Sequence, residues 1–92
     1  MNLKQVEKIS KAFSDVNRLK ILLDISKRGG CIQCAEIMQN LNLAQPSVSH
    51  HIKILVEAGL IEPEKESRYY KYLLNKPLLK AYIDQITAFG VF

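Results

Sequence analysis

The segment from residue 31 to residue 74 carries the pattern that most restricts the fold of this chain. Two short stretches with helical periodicity are followed by two extended stretches that flank a charged turn at Glu66 and Ser67. In order, these are a helix over about 31–40, a helix over about 45–58, and extended segments over 60–65 and 68–74. The change of hydrophobic period at Gly59 predicts a helix pair followed by a β-hairpin.

Further helices are predicted on both sides of this unit. Ser14 and Asp15 are good N-cap residues for a second helix that Gly29 and Gly30 would end, and Asn75 can cap a last helix over about 76–89. The first helix, over about 2–13, has an apolar stripe of Leu3, Val6, Ile9 and Phe13. The expected fold is therefore mainly α with a small β-hairpin, with about five helices in one domain of residues 1–92.

The second helix of the central pair has two chemically different faces. Val48, Ile52, Leu55 and Val56 form the apolar face, and Gln45, Ser47, Ser49, His50 and Lys53 point outward. A helix pair followed by a hairpin is the winged helix-turn-helix arrangement, in which the second helix enters the DNA major groove. Glutamine and serine can bond base edges, and lysine can bind phosphate. The predicted helix-turn-helix spans about 33–58. The predicted DNA contacts on its second helix are Gln45, Pro46, Ser47, Ser49, His50 and Lys53.

The hairpin over about 60–74 is the predicted wing. It combines cations with aromatic residues, and its outward side chains could reach phosphate or the minor groove. The predicted contacts here are Lys65, Arg68 and Tyr70, and about half of the tyrosines should serve the core instead.

The terminal helices carry more apolar surface than a small core can cover. We expect two copies of the chain to bury it, which also sets two recognition helices about 34 Å apart, as a palindromic operator requires. The predicted dimer interface comprises Leu3, Val6, Ile9, Phe13, Leu79, Tyr82, Ile83, Ile86 and Phe89.

Length and composition exclude several other classes. A chain of 92 residues is too short for a core and a deep catalytic cleft, so no enzyme is expected. A net charge of +4 agrees weakly with a polyanionic partner. No signal peptide or membrane span is recognisable, so a cytoplasmic protein without a membrane partner is expected. A winged helix that binds protein rather than DNA remains the alternative.

Three blocks in order resemble the ArsR-type winged-helix regulators. AFSDVNRLKIL at 12–22 is similar to the opening of that family's second helix, EIMQNLNLAQPSVSHHIKILVEAGLI at 36–61 to its helix-turn-helix core, and RYYKYLL at 68–74 to its returning wing strand. The resemblance implies a homodimeric repressor of double-stranded DNA operators that an inducer, often a metal or metalloid ion, releases. Two local departures are Ala44, where a serine or threonine cap would help, and Ser67, where glycine is frequent.

Cys31 and Cys34 are the candidate sensor residues, and three interpretations stay open. They are metal or metalloid ligands, a redox dithiol, or unreactive packing residues. The resembling metal sensors separate their two cysteines by one residue, whereas two residues stand between these. The resemblance implies a second possible metal site on the last helix, with histidine and carboxylate ligands. We expect no zinc there, because that helix has Asp84 but no histidine. His50 and His51 point about 100 degrees apart, so they are not expected to chelate one ion. His51 should pack against the body. Without cysteine chemistry the chain would be a constitutive repressor.

Overall fold

The computed structural model describes residues 1–90, which form five helices and one three-stranded sheet. The elements in chain order are α1 (Leu3–Phe13), α2 (Val16–Lys27), β1 (Cys31–Gln33), α3 (Cys34–Leu41), α4 (Gln45–Glu57), β2 (Ile61–Glu66), β3 (Tyr69–Leu74) and α5 (Lys76–Phe89). The expected fold, mainly α with a small hairpin, is confirmed.

Side-chain caps start three of the helices, and those at Asp15 and Asn75 are where the sequence predicts them. Asn2 and Gln5 form a reciprocal capping box at α1, with distances of 2.9 and 3.0 Å. Asp15 accepts bonds from two backbone N–H groups at the start of α2, and Asn75 accepts one from Leu78 at the start of α5. At α4 the residue before the helix is Ala44, which makes no side-chain cap, and Pro46 lies in the first turn.

The predicted helix over about 31–40 is wrong at its beginning, because residues 31–33 form a strand. β1 pairs antiparallel with β3, in the register Cys31 to Leu73, Ile32 to Tyr72 and Gln33 to Lys71. The hydrogen-bond partners of this strand come from a segment about 40 residues later, and pairing buries Ile32 to 2% exposure. The helix α3 therefore begins only at Cys34, and the strand order is β1-β3-β2.

One apolar core holds these elements together. Its fully buried members come from α1, α2, α3, α4 and the start of the wing, and include Ile9, Ile21, Ile25, Ile37, Val48, Leu55, Leu60 and Ile61. The helix α5 is the exception, because none of its 14 residues is buried in the single chain. Within residues 1–90, no helix has the length and apolar character that crossing a bilayer requires.

Candidate nucleic-acid interface

The helix α4 is anchored by its apolar face and presents its polar face to solvent. Val48 and Leu55 are completely buried and Ile52 is 7% exposed. The residues predicted to contact DNA, Gln45, Pro46, Ser47, Ser49, His50 and Lys53, are all exposed. The two faces therefore divide as the sequence predicts, and a continuous polar surface is left along α4.

His51 turns from this polar surface toward the body of the protein, as expected. Its Nδ1 lies 3.2 Å from a guanidinium nitrogen of Arg18 and 3.7 Å from a carboxylate oxygen of Asp15. The side chain of His51 is only 13% exposed, while His50 beside it is exposed. The ring centroids of the two histidines lie 6.0 Å apart with planes tilted by 54°.

The wing has two faces of different chemistry. Successive side chains of a strand alternate between faces, so the paired residues Lys65 and Tyr70 share one face, while Glu64 and Lys71 share the other. The three glutamates Glu62, Glu64 and Glu66 all lie on this second face. Lys65, Arg68 and Tyr70, the predicted contacts, are exposed. At the turn, Ser67 takes a left-handed conformation with φ of 57°, where glycine is more common.

A groove of about 360 Å³ lies between α4 and the first face of the wing. Its lining includes Ser49 and Lys53 from α4, Pro63 and Tyr72 from the wing, and Cys34. Because Pro63 and Tyr72 are on the same face as Lys65 and Tyr70, the cationic and aromatic face of the wing lies on the side of α4. Burial raises the pKa of the Tyr72 phenol, and the neighbouring Cys34 adds to the effect.

The sheet separates the two cysteines. Cys31 pairs with Leu73, which places it on the same face as the glutamates, away from the core. Cys34 is the first residue of α3 and lines the groove together with Tyr72, on the opposite face. Both thiols are free and half-buried. In residues 1–90, no three histidine, cysteine or acidic side chains are grouped closely enough to hold a metal ion. The two thiols thus lie on different faces of the sheet.

The predicted dimer residues fall into three groups. Val6 and Ile9 are covered by the chain's own core, at 8% and 1% exposure, so the prediction is wrong for these two. The sequence stripe could not distinguish a neighbour in the same chain from a second copy. Half-buried Phe13, Leu79 and Tyr82 already contact their own chain. The residues left exposed are Leu3, Ile83, Ile86 and Phe89.

Known proteins are similar to this chain in sequence and in architecture. A family model described as "Helix-turn-helix domain" matches residues 13–64. The transcriptional repressor SdpR of Bacillus subtilis is 36% identical over 81 residues, which cover 88% of each protein. The arsenical resistance operon repressor of Staphylococcus xylosus is 35% identical, over 92% of this chain and 79% of its own length. The chain belongs to the ArsR-type helix-turn-helix transcriptional regulators. It is not an enzyme.

Solved structures agree with the ArsR-type fold. An ArsR family transcriptional regulator superposes with a TM-score of 0.86, at 23% identity, covering 98% of this chain and 91% of that one. HlyU from Vibrio cholerae has a TM-score of 0.75 at 25% identity, covering 97% of each chain.

In this ArsR-type regulator the positive charge is not concentrated on the elements expected to meet DNA. Between residues 45 and 74 there are four cations and four carboxylates, so α4 and the wing carry no net charge and the excess of +4 lies elsewhere. Lys53 lies 3.9 Å from Glu57 on α4. The positions of single cations, rather than a general basic surface, must therefore direct any contact with phosphate. Sequence reasoning missed two residues near this surface: Arg18, whose guanidinium contacts His51, and Lys71, whose ammonium lies 3.1 Å from Glu66 and 3.5 Å from Glu64. Only the strand register and the tertiary contacts identify them.

Proposed function

We propose that this protein is a transcriptional repressor that binds a palindromic operator as a homodimer, with α4 in the major groove and the wing along the adjacent backbone. The observation that carries the proposal is the polar face of α4, which is exposed while Val48 and Leu55 are buried on the opposite face. Glutamine, serine and histidine side chains can bond base edges and phosphates. The relatives named as repressors support the same assignment.

The homodimer is supported by the surface of the terminal helices. α5 has no buried residue in the single chain, and Ile83, Ile86 and Phe89 are 52%, 39% and 62% exposed. Leu3 on α1 is 73% exposed. The single chain covers α5 only in part, so a second surface over the exposed apolar stripe would stabilise it further. A two-fold symmetric pair covers it and gives the operator its palindrome.

DNA binding is tested by fluorescence anisotropy with an operator selected by the wild type from a random duplex library. Gln45→Ala and Ser49→Ala should each lower the affinity about tenfold, the size of one lost base contact. Ser26→Ala, an exposed serine near the end of α2, is the matched control and should leave the affinity unchanged. Wild-type binding should weaken steeply as salt rises, because phosphate contacts release counterions. Failure to select any duplex would instead favour a module that binds protein.

The dimer is tested separately by sedimentation. Ile83→Asp and Phe89→Asp should convert the dimer to a monomer, because each places a charge in an apolar interface. Leu23→Asp is the matched control, since Leu23 is 54% exposed on α2, outside the proposed interface. A wild type that sediments as a monomer, or a dimer lost only in the α2 variant, would contradict the α1 and α5 interface.

Release by an inducer at the cysteines is the remaining part of the proposal. Because Cys34 lines the groove between α4 and the wing, a group added to its thiol would stand between two DNA-binding elements. This placement favours modification of one thiol over a metal or metalloid ion held by both. Operator release is measured with arsenite, zinc, cadmium and an oxidant, using Cys31→Ser and Cys34→Ser. We expect the oxidant to act and Cys34→Ser to abolish its effect. No response to any reagent would indicate a constitutive repressor.

A further inference from the structure

We propose that Lys71 is a positioning residue for the wing, which clamps Glu64 and Glu66 on the face away from α4 and so holds the wing tip in the shape that presents its cations to DNA. The wing tip is defined as residues 64–71. The inference rests on the proposed function, because it concerns how the same surface meets a duplex.

Lys71 is central to the second face of the wing. Its ammonium lies 3.1 Å from a carboxylate oxygen of Glu66 and 3.5 Å from one of Glu64. The hydrogen bond with Glu66, together with the charge of Glu64, raises the pKa of Lys71 above its ordinary value. The Lys71 side chain is 25% exposed, whereas the side chains of Glu66 and Glu64 are 66% and 51% exposed. The lysine therefore lies beneath the carboxylates and not at the outer surface.

The wing tip has no other side-chain support among the described residues. Every residue from 64 to 70 is exposed, so no apolar packing holds the tip to the body. The two ion pairs of Lys71 are the only side-chain bonds that the tip makes within residues 1–90. Backbone pairing between β2 and β3 sets the hairpin. The third strand, β1, pairs with β3 only at residues 71–73, so residues 64–70 form a two-stranded ribbon. Two strands alone are marginally stable in water, so the ion pairs of Lys71 add support that this part of the wing otherwise lacks.

Charge explains why the loss of Lys71 should be felt at the DNA. Glu62, Glu64 and Glu66 form a row on one face, and like charges on neighbouring positions repel each other. Strand alternation places all three carboxylates on the face opposite Lys65 and Tyr70, and Lys71 pairs with two of them there. Without Lys71, two carboxylates of the tip are unpaired, so their negative charge weakens the attraction of the wing to a polyanion, and the tip loses its side-chain ion pairs.

The test measures binding to a random-sequence duplex at low salt by fluorescence anisotropy. Wild type, Lys71→Gln and Lys71→Arg are compared. Lys71→Gln is then introduced into a protein that already carries Glu64→Gln and Glu66→Gln. Lys71→Gln should lower the affinity about fivefold, while Lys71→Arg retains it because the ion pairs can re-form. In the glutamine background, Lys71→Gln should change the affinity by less than about twofold, since nothing is left to clamp. The thermal midpoint of Lys71→Gln should match the wild type because the tip contributes no buried residue.

Two results would overturn the inference. If Lys71 simply attracted phosphate as one more cation, Lys71→Gln would lower the affinity equally with and without the two glutamine substitutions. Such additive effects would reject a positioning role for Lys71. A Lys71→Gln variant that binds like the wild type rejects it as well. If Lys71→Gln fails to fold, Lys71→Met replaces it in the same cycle, because methionine preserves most of the aliphatic stem. A wild type that binds no duplex at any salt concentration would overturn the proposed function itself, whereas failure of the Lys71 inference alone leaves wild-type binding intact.

Discussion

Arg18 and His51 join α2 to the recognition helix through one hydrogen bond, from a guanidinium nitrogen to the imidazole Nδ1 across 3.2 Å. Arginine can only donate, so Nδ1 accepts and the ring proton is on Nε2. Within residues 1–90 this is the only side-chain hydrogen bond that connects α4 with another helix. The same guanidinium donates to the carbonyls of Lys11 and Ala12, at 3.1 and 2.9 Å, where α1 ends. Three helices are thereby fixed by one side chain.

Replacing Arg18 should therefore cost more than an ordinary surface substitution. Arg18→Ala removes three charge-assisted bonds and leaves two carbonyls of α1 without this donor, so we expect a loss of about 2 kcal/mol in the free energy of unfolding. Arg18→Lys should recover only part of it, because an ammonium cannot reproduce the planar fork. Urea denaturation measures both, with exposed Lys20→Ala as the control. Equal midpoints for Arg18→Ala and Lys20→Ala would refute this role of Arg18.

Asp15 should make the stability of the protein depend on acid pH. The backbone N–H of Arg18 donates to its carboxylate and lowers the pKa of Asp15 below the ordinary value, with a smaller contribution from the backbone N–H of Asn17. Because the unfolded chain binds this proton more readily, the stabilisation is present above about pH 4 and is lost as pH falls through the lower folded pKa. In the Asp15→Asn variant, the new amide oxygen still caps the helix but the side chain does not titrate. The thermal midpoint of the wild type should exceed that of Asp15→Asn above about pH 4, and the difference should shrink as the pH falls below that value. A difference that stays constant with pH would contradict this role of Asp15.

Gly29 and Gly59 form a matched pair for measuring backbone strain against packing. Their φ angles are +78° and +80°, but an added Cβ meets nothing within 4 Å at Gly29 and lies 3.0 Å from the Cδ2 atom of Leu78 at Gly59. Gly29→Ala should cost about 1 kcal/mol from the left-handed conformation alone. Gly59→Ala should cost about 1–2 kcal/mol more, because Leu78 packs against the core. Chemical denaturation measures the free energy of unfolding of both variants. Equal losses at Gly29 and Gly59 would show that the contact with Leu78 adds no cost.

The position of α5 should depend on Tyr82. Its hydroxyl is 2.8 Å from the Ser10 hydroxyl, and its ring stacks on Phe13 with centroids 5.5 Å apart. Tyr82→Phe keeps the stack and removes the hydrogen bond, so a loss of about 1 kcal/mol is expected. Tyr82→Leu should lose more, since the stacked ring is lost too. Thermal unfolding of these variants provides the measurement, and a Tyr82→Leu variant as stable as Tyr82→Phe would show that the stack contributes nothing.

Local signals in the sequence were sufficient for most of this fold. The caps at Asp15 and Asn75 and the turn at Ser67 act within a few residues, and each has the predicted place. The strand β1 could not be predicted in this way, because Ile32 is apolar in either a strand or a helix. Only pairing with Tyr72, far along the chain, decides between them.

The candidate site was predictable to the same extent. The exposed side chains of α4 follow from the helical period, which separates Ser49 from Val48 and Ile52. Periodicity does not say which neighbour covers an apolar stripe, and Ile9 was therefore assigned to a partner although its own chain buries it. Lys71 was missed because its role depends on two glutamates that only the hairpin register brings beside it.

The placement of the cysteines on opposite sides of the sheet has a stoichiometric consequence. Two thiols that share a site can both bind one arsenical, or can be oxidised together to one disulfide. We expect thiols on different faces of the sheet to react as independent groups, each with its own rate. Mass spectrometry of the folded protein treated with a small monofunctional alkylating reagent should therefore show two additions at two different rates. Under the proposed release, modification of Cys34 alone is then sufficient.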